Sequence, residues 1–416
     1  MTEPLAPPPK KNPQKRTPTP LLPPATRSRA ALGLGAMAAQ GRFGLQVCAE
    51  CQAVQYPPRD ACVKCLSHDL AWQDVDPSGR LMAETTIRVS PEPYFRERMP
   101  WRMGAVKLDA GPMLNCHLHG EVARGDSVRM ALKLDRAGQG VLVALPLEGS
   151  DVMQDDPVLR AMSCDPKHRR VLISDARSPV ALALAEALLA AGAAHVFAGE
   201  PEAWRHWPAR AAFEAMEDVS LLPLDVTDVS SVQKLSAEIG GKVDILINTA
   251  RFTRPGGVLG NDTTFARDAM EVNTLGLMRL AQGFGPGMAA RVQDGTNAAA
   301  AFVNILSVQA LVPDAGYGAF GASQAAARSI SQSLRAEFRA SGLRVMNVYA
   351  GPGEDDPWFQ PLPPPKVTPK ALARSVVQGL VDGLEEVTCG DVARDVYARW
   401  QDNALLLERE LTGAGA

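Results

Sequence analysis

The 416-residue sequence predicts a doubly wound parallel α/β sheet, preceded by a metal-binding module and a small β-barrel. From Arg169 onward, apolar strand-like runs alternate with helical patterns, which is typical of a parallel sheet with helices on both faces. Two Cys-x-x-Cys pairs lie between residues 48 and 65. Between these two regions, short strands separated by glycine-containing turns indicate a small barrel.

The composition is that of an ordinary globular protein, with 46% hydrophobic and 21% charged residues. A net charge of −3 and an aromatic content of 5% argue against a general nucleic-acid binder. No apolar run reaches the roughly 18 residues that span a bilayer. We therefore expect a cytoplasmic protein that binds neither nucleic acid nor membrane.

The N-terminal residues 1–36 are predicted to be a disordered basic tail. The first 30 residues contain nine prolines, six lysines or arginines and one acid. Such a segment buries too little apolar surface to fold.

Residues 37–78 are predicted to form a rubredoxin-like zinc ribbon. Cys48 and Cys51 are separated from Cys62 and Cys65 by ten residues. Two such turns aim four thiolates at one point, which is the closed tetrahedral geometry of structural zinc. Four protein ligands leave no position open for catalysis. A redox dithiol is disfavoured because neither pair opens a helix after a strand; four unrelated cysteines are the remaining alternative.

Residues 79–148 are predicted to form the barrel, and the polar residues 149–168 a linker. The predicted strands are 81–89, 104–108, 114–119, 127–134 and 140–144.

Over residues 37–148 the sequence resembles the zinc-ribbon and OB-fold family called DUF35. The segments that carry the resemblance are Phe43–Cys51, Gln55–Cys65, Leu70–Trp72, Trp101–Leu108 and Gly120–Val128. The resemblance implies an acyl-CoA-associated protein that docks on thiolase-like enzymes, including thiolases and retro-aldolases, and whose OB domain helps to hold the CoA ester. Candidate cations for the CoA phosphates are Arg98, Arg102 and Lys107. A solvated basic face is an equally open interpretation of each.

Residues 169–416 are predicted to form the parallel α/β domain. Strands are expected at 171–174, 195–198, 220–224, 243–247, 301–306 and 343–349. Helices are expected at 179–191, 229–239, 264–283 and 321–340.

This half resembles the short-chain dehydrogenases over residues 169–412, which implies a Rossmann-type sheet. The segments are Leu224–Thr227, Val243–Ala250, Glu271–Asn273, Asn304–Ser307 and Ala319–Ala326. The resemblance implies that Asp225 and Asn248 lie at a cofactor site. It also places Asn273 and Ser307 at catalytic positions.

Two parts of the dehydrogenase machinery are altered in this sequence. Asp175, Pro179 and Ala181 stand where a phosphate-binding turn needs glycine. Phe320 and Gln324 occupy the positions of the catalytic tyrosine and lysine. Phenylalanine has no proton to exchange, and glutamine has no charge to acidify a phenol. We therefore expect no intrinsic oxidoreductase activity and no NAD(P) binding.

The combined interpretation is a non-catalytic, acyl-CoA-binding subunit of a thiolase-fold enzyme, with structural zinc and a dehydrogenase-like domain that has lost its activity. One alternative is an NAD(P)-dependent reductase of a hydroxyacyl-CoA or related alcohol with an atypical site. Another is a scaffold that forms a homo- or heterodimer with an active dehydrogenase homologue.

Overall fold

A computed structural model describes residues 22–25, 27–147, 156, 159–202, 204–260, 263–293 and 299–413. The chain divides into two compact units. The first comprises Met1–Cys164 with Arg339–Gly342 and Asp382–Leu384, and the second comprises the remainder. Most of the predicted basic tail and much of the predicted linker lie outside the described residues.

The ribbon is a three-stranded antiparallel sheet with strand order β2-β1-β3. Its strands are β1 (Gly44–Cys48), β2 (Val54–Gln55) and β3 (Leu70–Asp74). Strand β1 is buried along its whole length and ends at the first cysteine of the predicted zinc site. The central strand therefore delivers this ligand from the interior of the ribbon.

The predicted barrel is confirmed as a closed five-stranded barrel with order β4-β5-β6-β8-β7. Its strands are β4 (Ser78–Ile87), β5 (Trp101–Leu108), β6 (Met113–Leu118), β7 (Ser127–Leu134) and β8 (Gly140–Pro146), and the short helix α2 (Pro93–Arg96) lies between β4 and β5. Alternate residues of β6 point into an apolar interior, as the period of a strand requires.

The predicted tail extends too far toward the C-terminus, because residues within 29–36 are ordered. Arg29–Ala31 form a 3-10 turn and helix α1 spans Leu32–Ala39. Leu34, Met37 and Ala38 join the apolar core of the barrel. The helix approaches β8 so closely that a Cβ atom on Gly140 would lie 2.7 Å from the Leu34 carbonyl oxygen. The proline-rich part of the N-terminal segment ends at residue 24. Apolar residues of helix α1, which follows it, pack on the barrel.

The predicted linker is also partly structured. Leu159–Met162 form a 3-10 helix, and both of its terminal residues pack against Ala131, Val143 and Leu145 of the barrel. These apolar side chains give the segment a packing partner that its polar surroundings in the sequence conceal.

The second unit contains the predicted Rossmann-type sheet, with seven parallel strands in the order β11-β10-β9-β12-β13-β14-β15. The strands are β9 (Arg170–Ile173), β10 (His195–Glu200), β11 (Val219–Pro223), β12 (Ile245–Asn248), β13 (Ala301–Ser307), β14 (Arg344–Ala350) and β15 (Glu386–Cys389). The chain order reverses between β9 and β12. Ligands of such sheets bind at the carboxyl ends of the strands flanking this reversal.

Helices cover the sheet. They are α3 (Ala181–Ala190), α4 (Arg210–Glu214), α5 (Val229–Ile239), α6 (Thr263–Met270), α7 (Leu277–Gln293), α8 (Gly318–Phe338), α9 (Pro369–Asp382) and α10 (Asp391–Gly413). A π-helical segment, Glu271–Gly276, joins α6 to α7, so the single helix predicted at 264–283 is longer and irregular. Within the described residues, no helix is both long and apolar enough to cross a bilayer.

We expect Leu34→Ala to loosen helix α1 from the barrel. Leu34 is 6% exposed and Leu32 is 65% exposed on the same helix. Removing the buried Leu34 side chain lowers the free energy of unfolding by about 2–5 kcal/mol, whereas removing the exposed Leu32 side chain changes it little. Hydrogen–deuterium exchange of the full chain should show faster exchange in residues 32–39 and 140–146 for Leu34→Ala. Leu32→Ala is the matched control, and equal exchange in the two variants contradicts the packing role of α1.

Candidate metal centre and cofactor cleft

The four predicted zinc ligands converge. The Sγ atoms of Cys48, Cys51, Cys62 and Cys65 all lie within 4.8 Å of one another. The Cys48–Cys65 and Cys51–Cys62 pairs are each 3.5 Å apart. A zinc–sulfur bond of about 2.3 Å in a tetrahedron separates sulfurs by about 3.8 Å. The donor set and its spacing therefore fit a four-thiolate zinc ion.

The two cysteine turns share one backbone geometry. In the first, the Gln52 amide donates to the Cys48 carbonyl (2.9 Å), and in the second the Leu66 amide donates to the Cys62 carbonyl (3.1 Å). Gln52 and Leu66 each follow the last cysteine of the pair and have φ of 57° and 64°. Side chains seldom adopt this left-handed conformation, and here it turns each chain back toward the ribbon.

The second turn is fixed to the ribbon by a buried side-chain amide. Gln55 accepts a hydrogen bond from the Val63 amide (3.0 Å) and donates one to the Gln46 side chain (3.0 Å). Within the turn, the backbone amides of Cys65 and Lys64 point at the Cys62 sulfur and lower the pKa of this thiol to about 6. The thiolate is the form that binds metal, so these amides favour the ligand state at Cys62, whereas desolvation and the other three thiols raise the pKa of Cys65 to about 12.

The three candidate cations of the barrel differ in the contacts they make. Arg102 donates from its two terminal nitrogens to the carbonyls of His119, Gly120 and Val122 and to the Glu84 carboxylate. Four of its five donors are therefore engaged within the barrel. The structure thus gives Arg102 a structural role that its sequence position did not reveal.

Arg98 and Lys107 lie on opposite sides of Arg102 along the chain. Arg98 stacks over the Tyr94 ring at 4.0 Å, and its Nη1 donates to the Tyr94 carbonyl. Lys107 donates to the Gly111 carbonyl. Because a strand rises about 3.3 Å per residue, Lys107 lies about 16 Å along β5 from Arg102. One phosphate group cannot contact both.

In the second unit, the backbone amides of the turn after β9 donate hydrogen bonds to acceptors within the chain. The Asp175 amide donates to the Thr249 hydroxyl (3.0 Å), and the Ala176 amide donates to the Gly199 carbonyl (2.7 Å). The Arg177 amide donates to the Asp175 carboxylate (2.9 Å). In a dinucleotide-binding turn such amides face the pyrophosphate. Here three successive amides have internal acceptors, one of which is the Asp175 carboxylate.

Burial raises the pKa of Asp175, against the opposing effect of the nearby Arg177 amide and guanidinium. Arg177 in turn binds Glu202 at 2.7 Å.

The two candidate cofactor contacts are also engaged internally. The Asp225 carboxylate accepts from the amide (2.8 Å) and hydroxyl (2.7 Å) of Thr227. Asn248 accepts from the Ser174 hydroxyl (2.9 Å), which itself accepts from the Thr249 amide. Ser174, which follows β9, is thus hydrogen-bonded to Asn248 and Thr249 at the end of β12.

The positions of the proton relay form a packed, uncharged cluster. Phe320 is buried edge-to-face against Phe359, with ring centroids 5.9 Å apart. The Gln324 side-chain oxygen accepts from the Ser307 amide (2.9 Å). Tyr317, the one nearby phenol that could replace the missing tyrosine, donates its hydroxyl to the Trp358 carbonyl (2.7 Å). No proton relay of the tyrosine–lysine kind exists at these positions.

Asn273 retains a structural role. Its side chain accepts from the Phe252 amide (2.8 Å) and donates to the Phe252 carbonyl (2.9 Å) and the Ser323 hydroxyl (2.8 Å). It thereby pins the loop that follows β12.

An ion pair that the sequence did not reveal lies in the cleft beside this loop. Arg251 follows Asn248-Thr249-Ala250, where the resemblance expects glycine, and its guanidinium contacts the Asp356 carboxylate. Both side chains are largely buried. They line a cavity of about 40 Å³, space for roughly three waters, together with Ser178, Thr249 and Gly351. Ligand pockets usually offer about 300 Å³ or more.

Comparison with known families finds three domain models that match successive parts of the chain. Residues 36–71 match the model of the ChsH2 rubredoxin-like zinc ribbon domain, and residues 72–133 match that of the ChsH2 C-terminal OB-fold domain. Residues 169–356 match the short chain dehydrogenase family. The predicted order of three domain types is confirmed.

Individual relatives match the second unit. The short-chain dehydrogenase PC-15 of Penicillium crustosum is 31% identical over 192 residues, covering 44% of this chain. The chain spans 66% of that relative, just under two thirds of its length. The 1-deoxy-11-beta-hydroxypentalenate dehydrogenase of Streptomyces exfoliatus is 28% identical over 203 residues, covering 48% of this chain and 72% of the relative.

A solved structure also resembles this unit. It is a short chain dehydrogenase from Burkholderia cenocepacia J2315 in complex with NADP. It has a TM-score of 0.53 and 27% identity, and the match covers 59% of this chain and 98% of that one.

We expect one zinc ion per chain, and its loss in Cys62→Ser, because a structural zinc contributes directly to the folding free energy of its domain. Elemental analysis after purification without chelators measures the metal, and thermal unfolding measures the stability. Cys389→Ser, in the second unit, is the matched control and should retain zinc. Wild-type protein with well under one zinc per chain contradicts the assignment.

Proposed function

Because the chain joins a zinc ribbon and OB fold of the ChsH2 type to a short-chain dehydrogenase domain, we propose that it is a non-catalytic, acyl-CoA-binding subunit of a thiolase-fold enzyme. The partner supplies the chemistry of a thiolase or retro-aldolase. This chain supplies the docking surface and cations for the CoA ester, and its dehydrogenase-like domain acts without turnover.

The main support for a non-catalytic role comes from the two positions of the tyrosine–lysine proton relay. Phe320 and Gln324 replace the proton donor and the cation that a dehydrogenase of this family needs. The internally bonded turn at Asp175 supports the same conclusion independently, since a pyrophosphate there has lost its amide donors and meets a carboxylate.

In the described part of the first unit, the cysteine that lies beside histidines is not an available nucleophile. This residue, Cys116, is buried in the barrel core. Burial raises the pKa of this thiol to about 12, and the thiol donates to the Gly104 carbonyl. A thiol that stays protonated is a poor nucleophile. The protonated state of Cys116 supports the proposal that the reaction on an acyl-CoA comes from another chain.

The protein is proposed to work in the cytoplasm. All seven cysteines are free thiols, with none in a disulfide. Four of them form the zinc cluster, which is the usage of cysteine expected in a reducing compartment.

The second candidate function is an NAD(P)-dependent reductase with an atypical site. The relatives of the second unit favour it, since they are named dehydrogenases and one solved structure contains NADP. The two candidates differ in whether a nicotinamide cofactor binds.

We expect no tight binding of NADH or NADPH. Each lost charge-assisted hydrogen bond to the phosphates costs about 1.5–3 kcal/mol. Isothermal titration calorimetry of the full chain tests this, and micromolar binding of either cofactor favours the reductase. The double variant Phe320→Tyr/Gln324→Lys should remain inactive, because the turn at Asp175 is unchanged.

We expect Arg98→Glu to weaken binding of acetyl-CoA, and to do so more at low salt than at high salt, since exposed ion pairs are screened. Arg394→Glu, which changes an exposed arginine on α10, makes the same charge change in the second unit and should bind as wild type does. Equal affinities for the two variants exclude Arg98 from the CoA site. Arg102→Glu is unsuitable, since it breaks four contacts of the barrel.

We expect a thiolase-like protein to co-purify with the full chain from its native host. Affinity purification with mass spectrometry identifies the partner, and size-exclusion chromatography gives the assembly. Cys62→Ser should lose the partner along with the zinc if the ribbon and barrel form the docking module. A chain that elutes alone as a monomer contradicts the accessory role, and recovery of an active dehydrogenase homologue instead supports the scaffold alternative.

A further inference from the structure

The cleft beside the Arg251–Asp356 pair has a second compartment of about 410 Å³. Its volume falls in the range of small-molecule sites. Charged residues on its wall are Asp175, Arg177, Arg251, Arg254 and Asp356, and apolar residues on its wall are Pro179, Phe252, Pro357 and Trp358. The lining therefore combines ionic groups with rings and apolar surface.

Four of the five charges offset each other. Arg177 contacts Asp175 at 3.7 Å, and Arg251 contacts Asp356. Arg254 has no carboxylate partner among the described residues. It is the surplus positive charge of the cleft.

Arg254 is held in place by two aromatic rings. Its guanidinium carbon lies 4.7 Å from the centroid of Phe265 and 4.8 Å from that of Trp358. Arg254 is exposed. Stacking on ring faces orients its planar guanidinium and leaves its N–H groups open to solvent or to a ligand. Such a group is preorganised to bind an oxyanion with two hydrogen bonds.

The neighbouring Thr253 presents an unsatisfied polar group. Its side chain lines the compartment, and its hydroxyl is buried with no hydrogen-bond partner among the described residues. A buried hydroxyl left without a partner destabilises the folded state. A ligand that accepts or donates a hydrogen bond at this position removes that cost.

Both walls of the compartment are rigid. The loop that carries Thr253 and Arg254 is pinned before by Asn273 at Phe252, and after by the Gly256 amide, which donates to the Gly316 carbonyl at 2.6 Å.

On the other wall, Trp358 is held through its backbone. Its amide donates to Asp356 (3.0 Å), and its carbonyl accepts from the Tyr317 hydroxyl (2.7 Å). The site is thus built before any ligand arrives, which lowers the entropic cost of binding.

We propose that this compartment binds a small organic anion whose carboxylate or phosphate head contacts Arg254 and Thr253 and whose apolar body packs against Trp358. The site is distinct in chemistry from a dinucleotide site, because its recognition elements are one stacked arginine and one hydroxyl. The inference does not depend on the accessory-subunit proposal, and its failure leaves that proposal intact.

The test uses three probes of similar shape with the full chain: benzoate, phenyl phosphate and neutral benzamide. We expect calorimetry to show at least one anion binding about tenfold or more tightly than benzamide. The stronger of the two anions identifies the head group. No preference for either anion over benzamide, at up to about 10 mM ligand, overturns the proposal.

Variants locate the site. Arg254→Gln should abolish the preference for anions, and Thr253→Val should weaken anion binding about threefold to tenfold. Arg394→Gln removes an exposed arginine from α10 and is the matched control. Arg254→Lys keeps the charge without the planar fork, and a two-hydrogen-bond site predicts that it binds anions less well than wild type. Retention of full anion affinity in a folded Arg254→Gln or Arg254→Lys variant overturns the proposal.

Discussion

The Arg251–Asp356 ion pair is the interaction on which the cofactor cleft depends. A buried charge must be paired, and removing one partner of such a pair costs about 3–5 kcal/mol. Asp356 also accepts the Trp358 amide, and Arg251 lies 5.5 Å from the Phe359 ring. Phe359 packs on Phe320. The pair therefore links the small cavity to Phe320, and we expect a substitution in this group to disturb the others.

Hydrogen bonds within the chain hold the strand ends and loops around this cleft. Three of these bonds lie along the cleft: Ser174 joins β9 to β12, Gln324 accepts from the Ser307 amide, and Asn273 accepts from the Phe252 amide. Each satisfied donor removes a desolvation cost that an empty cofactor site would leave. Gln324 and Asn273 thus make structural contacts, and the adjoining compartment around Arg254 includes a Thr253 hydroxyl without a partner among the described residues.

The zinc centre and the barrel are stabilised differently from the cleft, by metal ligation and by apolar packing. Apolar residues of the ribbon, among them Leu45, share the core of the barrel, and a zinc ion held by the four thiolates adds to the stability of the ribbon. Since no coordination position stays open, the centre serves as a fold element. The barrel is completed by α1 and by Leu159–Met162, both of which pack on its apolar residues.

The sequence by itself determined the features that depend on local spacing and residue chemistry. The interval between the cysteine pairs predicted the metal cluster, the change of hydrophobic period at Arg169 predicted the parallel sheet, and Phe320 with Gln324 predicted the loss of the relay. Each is readable because a ligand turn, a strand period or a missing proton is a property of nearby residues.

Tertiary structure alone decided which partner each side chain found. The sequence offered Arg102 as a candidate to bind phosphate, whereas in the structure it donates hydrogen bonds to carbonyls of the loop at residues 119–122. Arg251 met an aspartate 105 residues away. Helix α1 was not predicted, because its own glycine-containing sequence gives a weak helical signal. Its stability comes from packing on the barrel. Such contacts join segments far apart in the chain, and no local pattern encodes them.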